Sequence, residues 1–516
     1  MNSSRNRWSR LGLALALVGL VGGALAGTRW LSSGETRPRG ITAAVRSGPV
    51  EWVSGQPKLL DYIPTYYKDV KPILDKNCTG CHTEGSIAPF KLTDAQSAIE
   101  HARAAQLAVQ SKRMPPWQPG ENSPKYRDEL KLTDDEIAII ANWSWAGAPL
   151  GKASDAKPAP VRITDAKPDL TLDIGRDFKP DSRLSDEYRC FVIDPKIAEE
   201  RYLSGYGITP GNARIVHHII LFQVSSDLAD QARQLEAKAD GRGGYTCFGG
   251  PGVGLDASAR FRGQTTTSNV SFIGTWVPGA KAVNYPDGTG VLMKPGSQII
   301  MQVHYNLLAG DGADRTAARL YFAPVGQERR NLRIVTLIGP VEIPCPESDA
   351  ARPECRREAA YDRVSAYQEP GLTSILREGL LMSFCKASLQ QYRTKDGKVT
   401  TSCEFPLSSD RTIFGVQGHM HLLGTGIKLE ANPNDPARRT LLLDIPRYDF
   451  HWQSGFWLEK PIDVNKGDLM RVTCTFDNSA QNQPWIDGKQ AKPRYVVWAE
   501  GTTDEMCLGG LFTANR

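Results

Sequence analysis

The residues with chemical potential in this 516-residue chain are cysteines and histidines in tight groups. The first group is Cys78-Thr79-Gly80-Cys81-His82. Two thiols at this spacing can form thioethers to one haem, and the adjacent imidazole reaches the iron from one side. Met114, in Met114-Pro115-Pro116-Trp117, follows a helix on a turn, where its thioether can take the opposite axial position. The competing reading is a disulfide or a zinc half-site, but no second Cys/His pair follows to complete a zinc site. The other groups are His217-His218, Val303-His304-Tyr305 and His419-Met420-His421, all on β-type segments. Imidazoles without carboxylate or Cys partners at the same spacing suit copper or zinc better than magnesium or calcium. Residues i and i+2 share a strand face, so His419 and His421 can grip one metal while Met420 points away. His217 and His218 would face opposite ways on a regular strand and share a metal only where a bulge breaks the pleat. His101 reads as a solvated residue of an Ala-rich helix, and His451 as structural or as a support for a ligand.

The elements that must position these groups follow from pattern. Arg5, Arg7 and Arg10 precede an uncharged run from Leu11 to Gly27 that ends in Ala24-Leu25-Ala26. This reads as a signal peptide over 1–27, with an uncleaved membrane anchor as the alternative. The run is short for a spanning helix, which needs about 20 apolar residues. A linker over 28–57 follows, and the mature chain is periplasmic or secreted. From 58 to 148 the pattern is helical. Val70–Leu74 opens one helix, Asp94 to Gln110 forms a second, and Thr133-Asp134-Asp135-Glu136 is a capping box for a third. A Pro-rich linker occupies 149–167. Beyond it, short β-type runs are separated by Gly, Pro, Asn and Asp. They include Ile215–Val224, Gln298–Tyr305, Leu332–Ile338, Thr412–Gln417, Ile427–Glu430, Leu469–Phe476 and Tyr495–Ala499. The fold class is thus multidomain: a small α-helical domain, then two β-sandwiches over 168–328 and 329–516. Composition is that of ordinary globular protein, at 40% hydrophobic and 23% charged residues. The near-neutral mature chain gives no electrostatic reason to expect nucleic acid as a partner.

Two resemblances sharpen the reading. Residues 58–148, through Cys78, Cys81, His82 and Met114, resemble a class I cytochrome c domain, which implies one covalently attached haem c. The order of His217-His218, His304-Tyr305 and His419-Met420-His421, with the tail Asp504-Glu505-Met506-Cys507, resembles the copper type II, ascorbate-dependent monooxygenases. The resemblance spans about residues 168–516, with an insert around 345–410, and implies jelly-roll-like sandwiches and two copper ions. His217, His218 and His304 would hold an electron-transfer copper. His419, His421 and Met506 would hold the oxygen-binding copper and form the catalytic set. A thioether is a soft ligand that favours Cu(I). Gln302 and Tyr305 would support the first copper or line the cleft. Where the peptide-amidating branch carries an Arg that holds the substrate carboxylate, this chain has Gln417. The family's Asn and Tyr after the Met-Cys pair are replaced by Leu508 and Gly510. Peptide amidation is therefore not expected, and the substrate is a small organic molecule left open.

Eight cysteines lie outside the haem motif: Cys190, Cys247, Cys345, Cys355, Cys385, Cys403, Cys474 and Cys507. An even number in an exported protein suggests four disulfides. The family resemblance implies Cys474–Cys507, and Cys190–Cys247 fits within the first sandwich. Within 345–403 the connectivity is open. Cys385 and Cys403 flank a hairpin-like Lys395–Lys398, which would leave Cys345 with Cys355. The functional expectation is an exported monooxygenase that hydroxylates a C–H bond with O2. Electrons would pass through the fused haem domain from an external donor, ascorbate or a redox protein. The rival is a non-enzymatic electron-transfer or copper-binding protein. A zinc hydrolase is disfavoured because no Glu stands at zinc-hydrolase spacing from the His pairs.

Overall fold

The computed structural model describes residues 58–84, 88–127, 129–157, 167–184, 186–247, 250–254, 269–278, 280–307, 310–366, 371–486 and 489–516. The expected signal peptide and first linker lie outside these residues, as do residues 158–166 of the second linker. Among the described residues, no helix is long and apolar enough to cross a membrane.

The N-terminal segment is helical. Lys71–Asn77 carries Pro72 in its first turn, where a missing N–H is harmless. Thr133 and Glu136 form the expected capping box of Asp134–Trp145. Asp94 caps Ala95–Glu100 by accepting from the Ser97 N–H. The single helix expected over 94–110 is instead two, Ala95–Glu100 and Ala102–Gln110, parted at His101. His101 turns its Nδ1 onto the Ser97 carbonyl, and its ring stacks on Phe90 at 3.9 Å. It is half-buried rather than solvated, because Phe90 gives its ring an apolar face.

The rest is mostly β-sheet. In the first sandwich, a sheet containing Leu170–Asp173, Ala317–Phe322, Arg201–Thr209 and Thr289–Met293 faces a second sheet. The second runs in the order Tyr245–Thr246, Asp186–Ile193, Gln298–Asn306, Val216–Val224, Val270–Trp276. Side chains from both sheets, such as Leu203, Tyr206, Leu221, Met301 and Val303, form one core. The central Gln298–Asn306 strand is buried along its whole length. Its odd-numbered residues face that core, and Ile300 packs with Phe222 and Val224 in a smaller cluster on the outer face. His304 shares the parity of Ile300, so it lies on the outer face.

In the second sandwich, Arg333–Ile338, Leu508–Asn515, Arg411–His419 and Gly455–Val464 form one sheet. Lys398–Pro406, Leu469–Asp477, Gly424–Ala431 and Thr440–Ile445 form the other. Burial alternates residue by residue along Leu469–Asp477, as one face meets the core. Tyr495–Ala499 contributes only the short strand Val496–Val497, paired with Glu342–Ile343. The insert holds the helices Arg357–Ser365 and Gly371–Phe384.

The second sandwich meets the first through Phe414 and Ala514, which pack into the first core. Phe512 pairs in register with Gly415, and its ring lies 6.0 Å from Phe272 of the first sandwich. His419 pairs with Leu508 on the same face as Phe512, so it too is turned toward the first sandwich.

Four disulfides are present: Cys190–Cys247, Cys345–Cys355, Cys385–Cys403 and Cys474–Cys507. The open connectivity within 345–403 thus resolves to the arrangement that follows from pairing Cys385 with Cys403. Cys78 and Cys81 remain unbridged thiols.

Candidate functional site

Five histidines converge where the sandwiches meet. A register shift between Val216 and His218 breaks the pleat of Val216–Val224. This is the bulge that the adjacent pair required, and it lets both rings turn toward His304. His304 Nδ1 lies 3.3 Å from His217 Nδ1 and 3.3 Å from His218 Nδ1. The three donor atoms fall within 4.8 Å of one another, a spacing that one metal ion can bridge. His304 turns its other nitrogen, Nε2, to Asp186 Oδ1 at 2.8 Å. The carboxylate fixes the ring and leaves Nδ1 for the cluster, as carboxylates behind metal-binding imidazoles do. Tyr188 stacks on His304 at 4.1 Å.

His419 and His421 stand at the end of Arg411–His419, with ring centroids 5.1 Å apart. Met420, between them, points into the second core and is fully buried. Their Nδ1 atoms are occupied. His419 Nδ1 is 2.5 Å from Gln453 Oε1, and His421 Nδ1 is 3.2 Å from the Asp504 carbonyl. Both Nε2 atoms are thereby left for a ligand. Met506 is buried and follows Asp504 and Glu505 in sequence. The Glu505 carboxylate accepts from the backbone N–H groups of His421, Leu423, Gly424 and Met506. It therefore ties the turn after His421 to the residue that carries the thioether. Burial pushes this carboxyl up to about 8, against the pull of those four donors. A side chain at Gly424 would collide with Met420, so the turn needs glycine.

The two groups are neighbours. His218 and His419 have ring centroids 6.4 Å apart. Phe450 stacks on His217 at 4.7 Å and stands edge-on to His421 at 5.7 Å. Asp186 Oδ1 also accepts from Thr502 Oγ1 of the second sandwich at 2.8 Å. Burial holds His217, His218 and His421 well below the usual imidazole range, and lowers His419 to about 4. Neutral imidazole is the form that binds metal.

The remaining expected residues fall into place or apart. Tyr305 lies on the core face and donates to Asp314 Oδ2, away from His304. Gln302 Nε2 meets Cys247 Sγ rather than a histidine. His451 is exposed and bonded to Asp449. In the helical segment, His82 Nδ1 meets the Phe90 carbonyl at 2.9 Å, leaving Nε2 free. Met114 is half-buried.

Sequence reading missed Asp186, Gln453, Phe450 and the role of Glu505. Glu505 lies in the tail that carries Met506, where nothing local marks its role, and the other three sit in none of the His or Cys motifs. The Asp186-Glu187-Tyr188 strand start is the sole clue for the first, because its partner strand carries His304 in register with Tyr188.

Residues 384–511 match the model of the copper type II ascorbate-dependent monooxygenase, C-terminal domain. Dopamine beta-hydroxylase of Rattus norvegicus is 22% identical over 373 residues, covering 69% of this chain and 48% of that protein. The Homo sapiens dopamine beta-hydroxylase is 23% identical, covering 62% of this chain and 44% of its own length. DBH-like monooxygenase protein 1 of Gallus gallus is 22% identical, with 59% and 40% covered. The chain thus spans about half the length, or less, of the curated relatives it matches. Among solved structures, the infectious bursal disease virus VP2 particle covers 69% of this chain and 75% of its own at 8% identity. Its TM-score is 0.15, too low to bear on the fold. The match aligns residues 384–511 with the C-terminal domain of the copper type II ascorbate-dependent monooxygenases, an oxidoreductase family.

Proposed function

We propose that the protein is an exported copper monooxygenase that hydroxylates a C–H bond of a small organic substrate with O2. The observation that carries the reading is the convergence of two histidine sets across one interface. His217, His218 and His304 would hold one copper through their Nδ1 atoms. His419, His421 and Met506 would hold the other. Bound there, copper would supply one-electron storage at the first site and oxygen activation at the second. The chain's own part is to orient and exclude. Asp186 and Gln453 fix imidazole orientation. Phe450 packs against one imidazole of each set, His217 and His421. Glu505 holds the His421 turn against the Met506 residue. Four disulfides suit an oxidising compartment.

One oxygen atom enters substrate and the other leaves as water, which requires two electrons from an outside donor, ascorbate or a redox protein. The helical segment is suited to relay them. Cys78 and Cys81 stay unbridged while the other eight cysteines pair, and His82 keeps Nε2 free behind a backbone-anchored Nδ1. These residues would hold a haem c through two thioethers and one imidazole, with Met114 as a further candidate ligand.

Oxygen uptake and incorporation of labelled oxygen into product test the proposal. A folded His419→Ala variant should lose both. Unchanged turnover in that variant would refute it and favour the electron-carrier reading.

A further inference from the structure

The helical segment reaches the histidine cluster by a strap. Gly120 N–H donates to the Asp444 carbonyl at 2.7 Å, and Arg127 N–H to the Trp457 carbonyl at 2.7 Å. Tyr126 is buried in the second core and donates to the Leu442 carbonyl at 2.8 Å. Trp117 packs edge-on to Phe456 at 5.4 Å. Residues 117–127 thus lie across one edge strand of each sheet of the second sandwich, Thr440–Ile445 and Gly455–Val464.

The loop between those strands carries Phe450 and Gln453. Gln118 grips it with both ends of its amide. Its Oε1 accepts from the Asp449 N–H at 2.8 Å. Its Nε2 donates to the Asp449 carbonyl at 3.2 Å and to the Trp452 carbonyl. Gln453 follows at once, donating from Nε2 to the Phe450 carbonyl at 2.8 Å while its Oε1 meets His419. The loop's entry is anchored separately, by Tyr448 on the backbone of Met420. Its middle is anchored to the helical segment by Gln118.

We propose that Gln118 is a positioning residue for the second metal site. It holds the 449–453 loop, and the loop orients His419 through Gln453 and packs Phe450 against His217 and His421. The inference rests on the copper reading of that site. It gives the fused segment a structural part in metal binding, apart from any electron relay.

The test uses the full chain and copper alone as probe. Gln118→Leu keeps volume and removes all three hydrogen bonds. Copper affinity is measured by chelator competition, with the copper resonance spectrum as a second readout. We expect Gln118→Leu and Gln453→Ala each to weaken the second copper by about tenfold, in line with lost outer-shell partners. In the double variant the losses should not add, because both act through one path. Gln118→Glu keeps the bond from the Asp449 N–H and should fall between, and it serves if the leucine variant does not fold. Native affinity and spectrum in both Gln118 variants, or fully additive losses, would overturn the proposal. Failure of the underlying reading looks different: native protein and His419→Ala would then bind the same amount of copper.

Discussion

His218 and His419 come from different sandwiches, yet their rings lie 6.4 Å apart. The cluster is therefore one site with two halves. Copper bound at both halves should interact magnetically. Loading with a first and then a second equivalent of Cu(II) should give a resonance signal that broadens or loses intensity per copper. Two equal, additive signals would place the metals too far apart for this arrangement.

Asp186 links the halves, accepting from His304 Nε2 and Thr502 Oγ1. Asp186→Ala frees the His304 ring to rotate and to take the other tautomer. Copper affinity of the first site should fall roughly 10–100-fold, with the His419/His421 site retained. Asp186→Asn keeps an acceptor and should lose less. Isothermal copper titration of the two variants makes the comparison, and equal affinities in both would show that the carboxylate does not orient the ring.

Glu378 offers a pH test away from the metals. Burial, with the nearby Glu342 charge, pushes its carboxyl up to about 8. One oxygen accepts from the Val341 N–H, and Oε2 has no partner among the described residues. An unfolded glutamate titrates near ~4.3. Between these values the folded chain keeps a proton that the unfolded chain has lost. Stability from this group is complete below the lower value and declines until pH passes 8. Native protein should lose on the order of a few kcal/mol between pH 5 and 9 on this account. Glu378→Gln should flatten that part of the urea-unfolding profile, and an unchanged slope would reject the assignment.

Cys474–Cys507 joins the Leu469–Asp477 strand to the residue after Met506. Replacing both cysteines by serine should cost about 2–4 kcal/mol of stability. It should also weaken Cu(I) more than Cu(II), because the thioether loses its brace while the imidazoles keep theirs. Equal losses for both oxidation states would mean that Met506 does not bind the metal.

Much of the site was legible because the candidate ligand residues repeat at the period of the strand. His419 and His421 needed only that period. His217 and His218 needed a bulge, and the register shift after Val216 supplies it. Helix starts at Asp94 and Thr133 were readable because capping is local. The break at His101 was not, since it depends on Phe90 stacking from a separate segment. Nor could the sequence betray Gln453 or Gln118. An amide has no periodic signature, and its partners here are backbone atoms brought near by tertiary packing.

The most direct measurement is copper stoichiometry of the purified chain, beside that of His217→Ala and His419→Ala. The account predicts two coppers per chain in the native protein and one in each variant. No copper after loading, or zinc in both sites, would contradict it.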